Sequence, residues 1–548
     1  MRKVFLIVLP VMVVTACTST NEPQAGGDAV IAKDSLIRHI SVLASDEFGG
    51  RMPFSEGETK TIAYLQQQSQ ALGLEPGNGN SYLQEVPLVE IRPKGTPQLS
   101  VQTAKGIMNF KNMEDFVIFT KRTDTSITID KADLVFAGFG VVAPEYNWND
   151  YSGLDVKDKV VLVMVNDPGF TTKDSTLFKG KAMTYYGRWT YKYEEAARQG
   201  AKGCLIIHNT EAASYPFSVV QNSNGGPRMQ LDSRGSSDYK CAIEGWVSEP
   251  TAIKLLQAAG LDTSIFIKAN QPGFKAIDMG MTVSAKLQTS VVFNKSNNVI
   301  AKITGSKRPD ECVVYTAHWD HLGIGAPDAN GDSIYNGALD NASGTAALLE
   351  MARAFKNLPE KPERTIVFLW VTAEEQGLLG SAWYATHPIF APEKTVANIN
   401  IDVINANGPM KDISVSGAGQ SELEDIFAEE IKKQGRYIAP EKHPEAGYYF
   451  RSDHFNFAKA GVPALTTSGG VDHATKGKEY GEQQDEIWNK KYYHQTTDEY
   501  DPERWDLDGA LQDLQVFFNV GKRLAYSNEW PKWKEGSEFK AIREKSQQ

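Results

Sequence analysis

The sequence predicts an α/β protein: a mixed, mostly parallel sheet covered by helices, accompanied by a β-rich segment of different texture. Three observations carry this. From about residue 286 onward, apolar runs such as ECVVYTAHWDHLG (311–323), RTIVFLWVTAEE (364–375) and VANINIDVINANG (396–408) alternate with helical patterns, as in a sheet buried on both faces. Between 131 and 285 the runs are short, β-rich and broken by many turns. The length, 548 residues, exceeds what one core usually supports, so two or three domains are expected.

In chain order, Arg2 and Lys3 precede an apolar run, Val4 to Val14, too short to span a bilayer but the right length for a secretory signal. Its end, Val14-Thr15-Ala16-Cys17, resembles the lipobox of bacterial lipoproteins. That resemblance implies removal of 1–16, lipidation of Cys17, and export to the outer membrane facing the periplasm, since Thr18 and not Asp follows. The alternative is an ordinary signal cut after Ala16, leaving a periplasmic or secreted protein. Residues 17–32 are small and polar, as a tether is. From 33 to about 90 the pattern reads as helical, with Leu36, Ile40 and Leu43 on one face and Ile62, Leu65, Ser69 and Leu72 on another. These helices open a first segment, 33–130. In 131–285, ADLVFAGFGVV (132–142), DKVVLVMV (158–165) and KGCLIIH (202–208) read as strands, and KYEEAARQGA (192–201) as a helix between the last two. His208 is a lone histidine at a strand end and reads as structural. The alternating segment follows over 286–528, and 529–548 reads as a solvated polar tail.

A formal charge of −11 and the absence of a basic block exclude nucleic acid as partner, and no second apolar stretch approaches membrane-spanning length. Past Cys17 only Cys204, Cys241 and Cys312 remain, too few for a disulfide framework. Cys204 and Cys241 can bridge in an oxidising compartment, but buried free thiols are the commoner state in such apolar runs.

Five residues, each where a strand gives way to a loop, carry the chemistry: His318, Asp340, Glu375, Asp402 and His494. Two imidazoles and three carboxylates can hold two zinc ions with one carboxylate between them. Glu374, directly before Glu375, offers a carboxylate to take a proton from water. Adjacent glutamates at a buried strand end are costly unless a cation neutralises them, and Asp402 is the one charged residue in the strand-like NINIDVIN, where an unpaired charge is costly. Asp340 precedes a helix with an apolar face (Leu348, Leu349, Ala352, Phe355), a place where an Asp is ordinarily an N-cap; only the company it keeps makes it a ligand. Asp320, two residues after His318 on an extended segment, can hold the other ring nitrogen of that imidazole. His321 points the other way on the strand and reads as structural. PDANGDSIYNG (327–337) has acids at alternating positions like part of a calcium loop, but Leu339 stands where the twelfth-position acid belongs, so it reads as a surface loop.

In this order these motifs resemble the co-catalytic di-zinc aminopeptidase family, which also includes glutamate carboxypeptidase and transferrin receptor. LASDEFGGR (43–51) and SDHFNFAKAGVPA (452–464) match recurrent stretches of that family, and 131–285 resembles its protease-associated domain insertion. The resemblance implies the zinc-peptidase fold, one zinc on His318 and Asp402, the other on Glu375 and His494, and Asp340 bridging. It implies Glu374 as general base, Asp320 as orienter of His318, Asp453 and His454 shaping the pocket floor, and a cis peptide between Asp340 and Asn341. The expected activity is removal of amino-terminal residues from peptides, with Tyr492 or Tyr493 stabilising the oxyanion. A carboxypeptidase of acidic dipeptides, calling on Arg451 and Arg188, is the first alternative. Glutaminyl cyclisation with one zinc is disfavoured by the complete ligand set, as is a non-catalytic binding protein.

Overall fold

The computed structural model describes residues 31–547, except residue 173. The signal and lipobox therefore lie outside the described residues. Among those described, no helix is long and apolar enough to cross a membrane.

Helix α1 (Lys33–Leu43) buries Leu36, Ile40 and Leu43 completely, and α2 (Glu56–Ala71) starts at Ser55, whose hydroxyl accepts the Glu58 N–H. The helical pattern ends at Gly73, which has a φ of +65°. The rest of the stretch up to 90 is not helical as expected. Leu83–Thr103 forms strand β1, because Gln84, Val86 and Leu88 are buried while Glu85 between the first two faces out, a period of two that a helix cannot satisfy. There follow β2 (Phe116–Phe119), β3 (Ser126–Phe136), β4 (Val160–Met164), α3 (Trp189–Arg198), β5 (Gly203–His208), β6 (Ile243–Ser248) and the long β7 (Ile277–Ile303). The remainder contributes β8 (Arg308–His318), α4 (Ser343–Lys356), β9 (Arg364–Val371), β10 (Thr395–Asn400), β11 (Ala464–Leu465), α5 (Lys478–Lys491) and α6 (Asp508–Tyr526).

The main sheet runs in the order β11-β10-β8-β9-β7-β3-β4-β5-β6-β2, with β1 paired antiparallel to β7. Pairings β8–β9, β8–β10, β10–β11, β3–β4, β4–β5 and β5–β6 are parallel. Strand β7 is antiparallel to both β9 and β3, and so joins the two parallel halves. Residue 285 falls inside this one strand, beside a register shift between Lys286 and Gln288. Strand β8 shows why its sequence is apolar throughout. Val313, Tyr315 and Ala317 pack on the face covered by α1, α4 and α6, whereas Cys312 and Val314 pack on the opposite face with Tyr384 and Phe455.

Cys204, Cys241 and Cys312 are buried free thiols, so no bridge forms between Cys204 and Cys241. His208 is structural, with Nε2 3.1 Å from the Tyr215 carbonyl and aromatic rings around it. The carboxyl-terminal segment is not a solvated tail. Trp533 and Phe539 are buried in the core, Trp533 Nε1 donates to the Gly461 carbonyl at 2.8 Å, and Arg543 donates to the Thr395 carbonyl at 3.0 Å. Two aromatic anchors outweigh the lysine-rich composition between them.

Candidate metal centre

The carboxyl ends of β8, β9 and β10 meet at one place. His318 is the last residue of β8, Glu374 and Glu375 follow β9, and Asp402 follows β10. Asp340 lies in a tight turn just before α4, and the Asp340–Asn341 peptide is cis, as the family resemblance implied. His494 follows α5 with a φ of +57°. All five predicted ligands and Glu374 converge. The Asp340 carboxylate divides between two groups: Oδ1 is 3.2 Å from His318 Nε2, while Oδ2 is 3.3 Å from His494 Nε2. His318 Nε2 is also 3.2 Å from Asp402 Oδ1, and His494 Nε2 is 3.0 Å from Glu375 Oε2. Glu374 Oε2 stands 4.0 Å from His318 Nε2.

The electrostatics of this cluster call for positive charge. Burial opposes charging either imidazole, yet the surrounding carboxylates prevail: His318 is held well above its usual range and His494 is pushed up to about 10. Asp340, despite burial, is kept well below the carboxylate range by its hydrogen bonds to the two imidazoles. Glu374 is pushed well above that range by burial first, with Asp402 and Glu375 adding to it.

Several supporting groups differ from expectation. Asp320 does not hold His318 through its carboxylate, which is 3.9 Å from Nδ1. The nearer acceptor for that nitrogen is the Asp320 main-chain carbonyl at 3.0 Å, and the carboxylate instead accepts the Glu374 N–H at 3.0 Å. His321 does not point away: its Nδ1 lies 2.6 Å from Glu375 Oε1, and it forms a compact donor group with Asp340 and Glu375. Strand β8 ends at His318, so strict alternation no longer governs the residues after it. Asp453 and His454 do not form the pocket floor. They are completely buried beneath it, Asp453 accepting the Ser381 hydroxyl at 2.5 Å, while the neighbouring Ser452 reaches the cleft and donates to Asp402 Oδ2 at 2.5 Å. The 327–337 loop is a surface turn, with Asp328 Oδ1 accepting the Asn330 and Asp332 N–H groups.

Two supporting residues escaped the sequence reading. Asp498, in the polar stretch QTTDEYD (495–501), is fully buried and accepts the Leu339 and Asp340 N–H groups at 3.0 Å each. Asp498→Ala leaves both donors unpaired, and is expected to cost about 1–3 kcal/mol of stability and roughly tenfold or more in metal affinity, read by urea unfolding and chelator competition. Arg51 explains the LASDEFGGR stretch. Its buried guanidinium donates to the carbonyls of Leu43, Trp319, Asn336 and Gly337, tying the loops behind His318 and before Asp340 to the amino-terminal segment. Gly50, at φ +66°, admits no side chain, since a Cβ there sits 2.5 Å from the Tyr335 carbonyl oxygen. Arg51→Leu is expected to cost at least about 3 kcal/mol, because four carbonyls lose a charged donor.

The cluster opens into a cleft of about 840 Å3, lined also by Arg451, Tyr492, Tyr493 and Trp505. Tyr493 stacks on the His494 ring at 4.0 Å, and burial, then the nearby Asp340, Glu375, Glu374 and Asp402, push its hydroxyl pKa up. Tyr492 instead faces Arg504, whose guanidinium lies 4.0 Å from the ring centre.

The donor set fits zinc. Ligands about 2.0–2.1 Å from a tetrahedral zinc are separated by roughly 3.3 Å, and the nitrogen–oxygen separations here are 3.0 to 3.3 Å. An α/β sheet with an imidazole–carboxylate cluster at its strand ends and a glutamate beside it defines a metal-binding class of site, one able to polarise a carbonyl and activate water. Residues 298–518 match the model of Peptidase family M28, and the chain carries a domain of that family. Mouse aminopeptidase NAALADL1 is 34% identical over 140 residues, 24% of this chain and 17% of the relative. A probable zinc metalloprotease of Pyrenophora teres f. teres is 40% identical over 106 residues, 19% of this chain and 22% of the relative. The matched stretch thus spans about a fifth of these relatives' length. An aminopeptidase structure from Aneurinibacillus sp. strain AM-1 aligns over 91% of this chain and 95% of its own, at 19% identity and a TM-score of 0.49. The match to a peptidase family and the relatives named zinc metalloproteases support zinc as the metal.

Proposed function

We propose that the chain is an aminopeptidase that binds two zinc ions, removes amino-terminal residues from peptides, and acts after export. The carrying observation is the division of the Asp340 carboxylate between His318 with Asp402 on one side and His494 with Glu375 on the other. His318 and Asp402 would hold one ion and His494 and Glu375 the other, with Asp340 offering one carboxylate oxygen to each. Zinc bound by these residues supplies a Lewis acid for the scissile carbonyl and lowers the pKa of water. Glu374 takes the proton of the attacking water and returns it to the leaving amine. Asp320 fixes the Glu374 main chain by accepting its N–H, and His321 fixes one Glu375 oxygen, leaving the other free toward His494. Tyr493, which lines the cleft with its ring stacked on His494, is the residue that donates to the oxyanion. We assign 131–285 to a protease-associated domain beside the cleft, and residues 1–17 to a lipoprotein signal ending in a lipidated Cys17.

The test is cleavage of a short peptide library, free and N-acetylated, by zinc-loaded protein beginning at residue 18, with products read by mass spectrometry. Stepwise loss from free amino termini alone supports the aminopeptidase. Cleavage indifferent to acetylation moves the assignment to a carboxypeptidase. Absence of cleavage with metal bound counts against a peptidase of either kind.

A further inference from the structure

A second cavity lies at the end of the main sheet opposite β11, and none of its lining residues belongs to the metal cleft. Its volume is about 200 Å3, against about 840 Å3 for the cleft, so it is sized for one residue and not for a long segment. Two strand edges border it. Strand β2 is the last strand of the sheet and, among the described residues, pairs with β6 alone. Past Phe116, which bridges Asn112, its Val117, Ile118 and Phe119 line the cavity. The other border is β1. Its edge away from β7 pairs with Arg228–Leu231 over residues 88–91 and with Gly106–Phe110 over 99–103, and among the described residues is unpaired between them. Pro93 and Pro97 of that gap line the cavity and have no N–H to offer a neighbouring strand.

Arg228 is the one charged residue in this lining. Its guanidinium carbon lies 3.8 Å from the centre of the Phe119 ring, and Nη1 donates to Asn224 Oδ1. Among the described residues it has no other hydrogen bond and no carboxylate at ion-pair distance. Glu244, the acid on the adjacent strand β6, is buried and lies 3.2 Å from Lys121. Buried arginines elsewhere in the chain are matched by acids: Arg364 meets Glu311 at 2.6 Å, and Arg436 meets Asp513 at 2.7 Å. A guanidinium held by its face against a ring keeps its edge donors for a planar acceptor, and a carboxylate fits that fork. An open strand edge accepts an extended chain through main-chain hydrogen bonds, with a pocket beside it taking a side chain. The lining also excludes one ligand. It contains no acid, so the ammonium of a free amino acid finds no partner there, whereas the last residue of a peptide carries an amide nitrogen and one carboxylate.

We propose that this cavity binds the carboxyl-terminal residue of a peptide, one with an apolar side chain, which adds to the open edge of β2 and sets its carboxylate on Arg228. The site is separate from the metal centre and does not depend on the peptidase reading.

The test titrates N-acetylated hexapeptides ending in Leu, as free acid and as carboxyl-terminal amide, into zinc-loaded protein beginning at residue 18, with binding read by calorimetry. The free acid is expected to bind at least about tenfold more tightly than the amide, as a charge-assisted hydrogen bond requires. Arg228→Gln is expected to bring the acid within about threefold of the amide and to leave the amide unchanged. Gly226→Phe is expected to abolish binding of both. Gly226 lines the cavity outside the left-handed region, and a Cβ there meets nothing within 4 Å, so the ring has room to enter without disturbing the fold. Both variants are expected to keep the zinc content and melting temperature of the wild type. The compound 4-methylpentanoate carries the carboxylate and the apolar body without a peptide chain, and is expected to bind at least about tenfold more weakly than the peptide. Equal binding of this compound makes the occupant a small carboxylate and overturns the peptide assignment. Equal binding of acid and amide, an acid preference unchanged in Arg228→Gln, or no binding of the free acid overturns the site. Affinity that survives Gly226→Phe places the peptide elsewhere, the metal cleft included, and overturns it as well.

Discussion

Glu374→Gln is expected to retain full zinc content while losing at least about two orders of magnitude in kcat, the size associated with removal of a general base. The amide has nearly the same shape, and the Glu374 main chain stays anchored by Asp320, so the pocket persists. What disappears is the capacity to accept a proton. Steady-state rates on the best library peptide, with zinc measured by elemental analysis on the same preparation, check the prediction. Full activity in this variant removes Glu374 from the mechanism, and loss of zinc instead makes it a ligand.

Asp340→Ala is expected to have the opposite signature, with metal lost before chemistry is tested. Among the described residues its carboxylate is the one group within 3.3 Å of both His318 and His494, so the variant breaks both halves of the cluster together. Elemental analysis after dialysis is expected to fall from two zinc ions per chain to less than one. Activity should disappear with the metal, and excess zinc should not restore it. A variant that keeps both ions shows that Asp340 does not bridge them. Asp402→Ala provides the contrast, since it removes a contact to His318 and leaves the His494 and Glu375 side intact.

The site was legible in the sequence because acids at the ends of apolar strands are conspicuous. Asp402 interrupts NINIDVIN, and Glu374 with Glu375 closes RTIVFLWV; each breaks a pattern whose burial is otherwise complete. Asp498 breaks no pattern, because its neighbours are polar. Its role is visible only once the turn before α4 is seen to direct two N–H groups at it. His321 was misplaced because a strand periodicity was extended past the end of β8. The terminal segment reads as solvated because composition averages over positions: Lys532 is exposed, and Lys534 and Lys540 are half-buried in ion pairs, while Trp533 and Phe539 enter the core.

By itself the sequence determined the α/β class, the residues that meet at the centre and the general chemistry open to them, since hydrophobic periodicity and the cost of a buried charge act locally along the chain. Tertiary structure decided how those residues are shared. It divided the Asp340 oxygens between two imidazoles, turned the Asp320 carboxylate from His318 to the Glu374 main chain, and brought His321 onto Glu375. The reason is physical. Orientation and charge compensation depend on distances of a few ångströms between segments remote in sequence, and those distances are fixed only when the strands, turns and helices pack against one another.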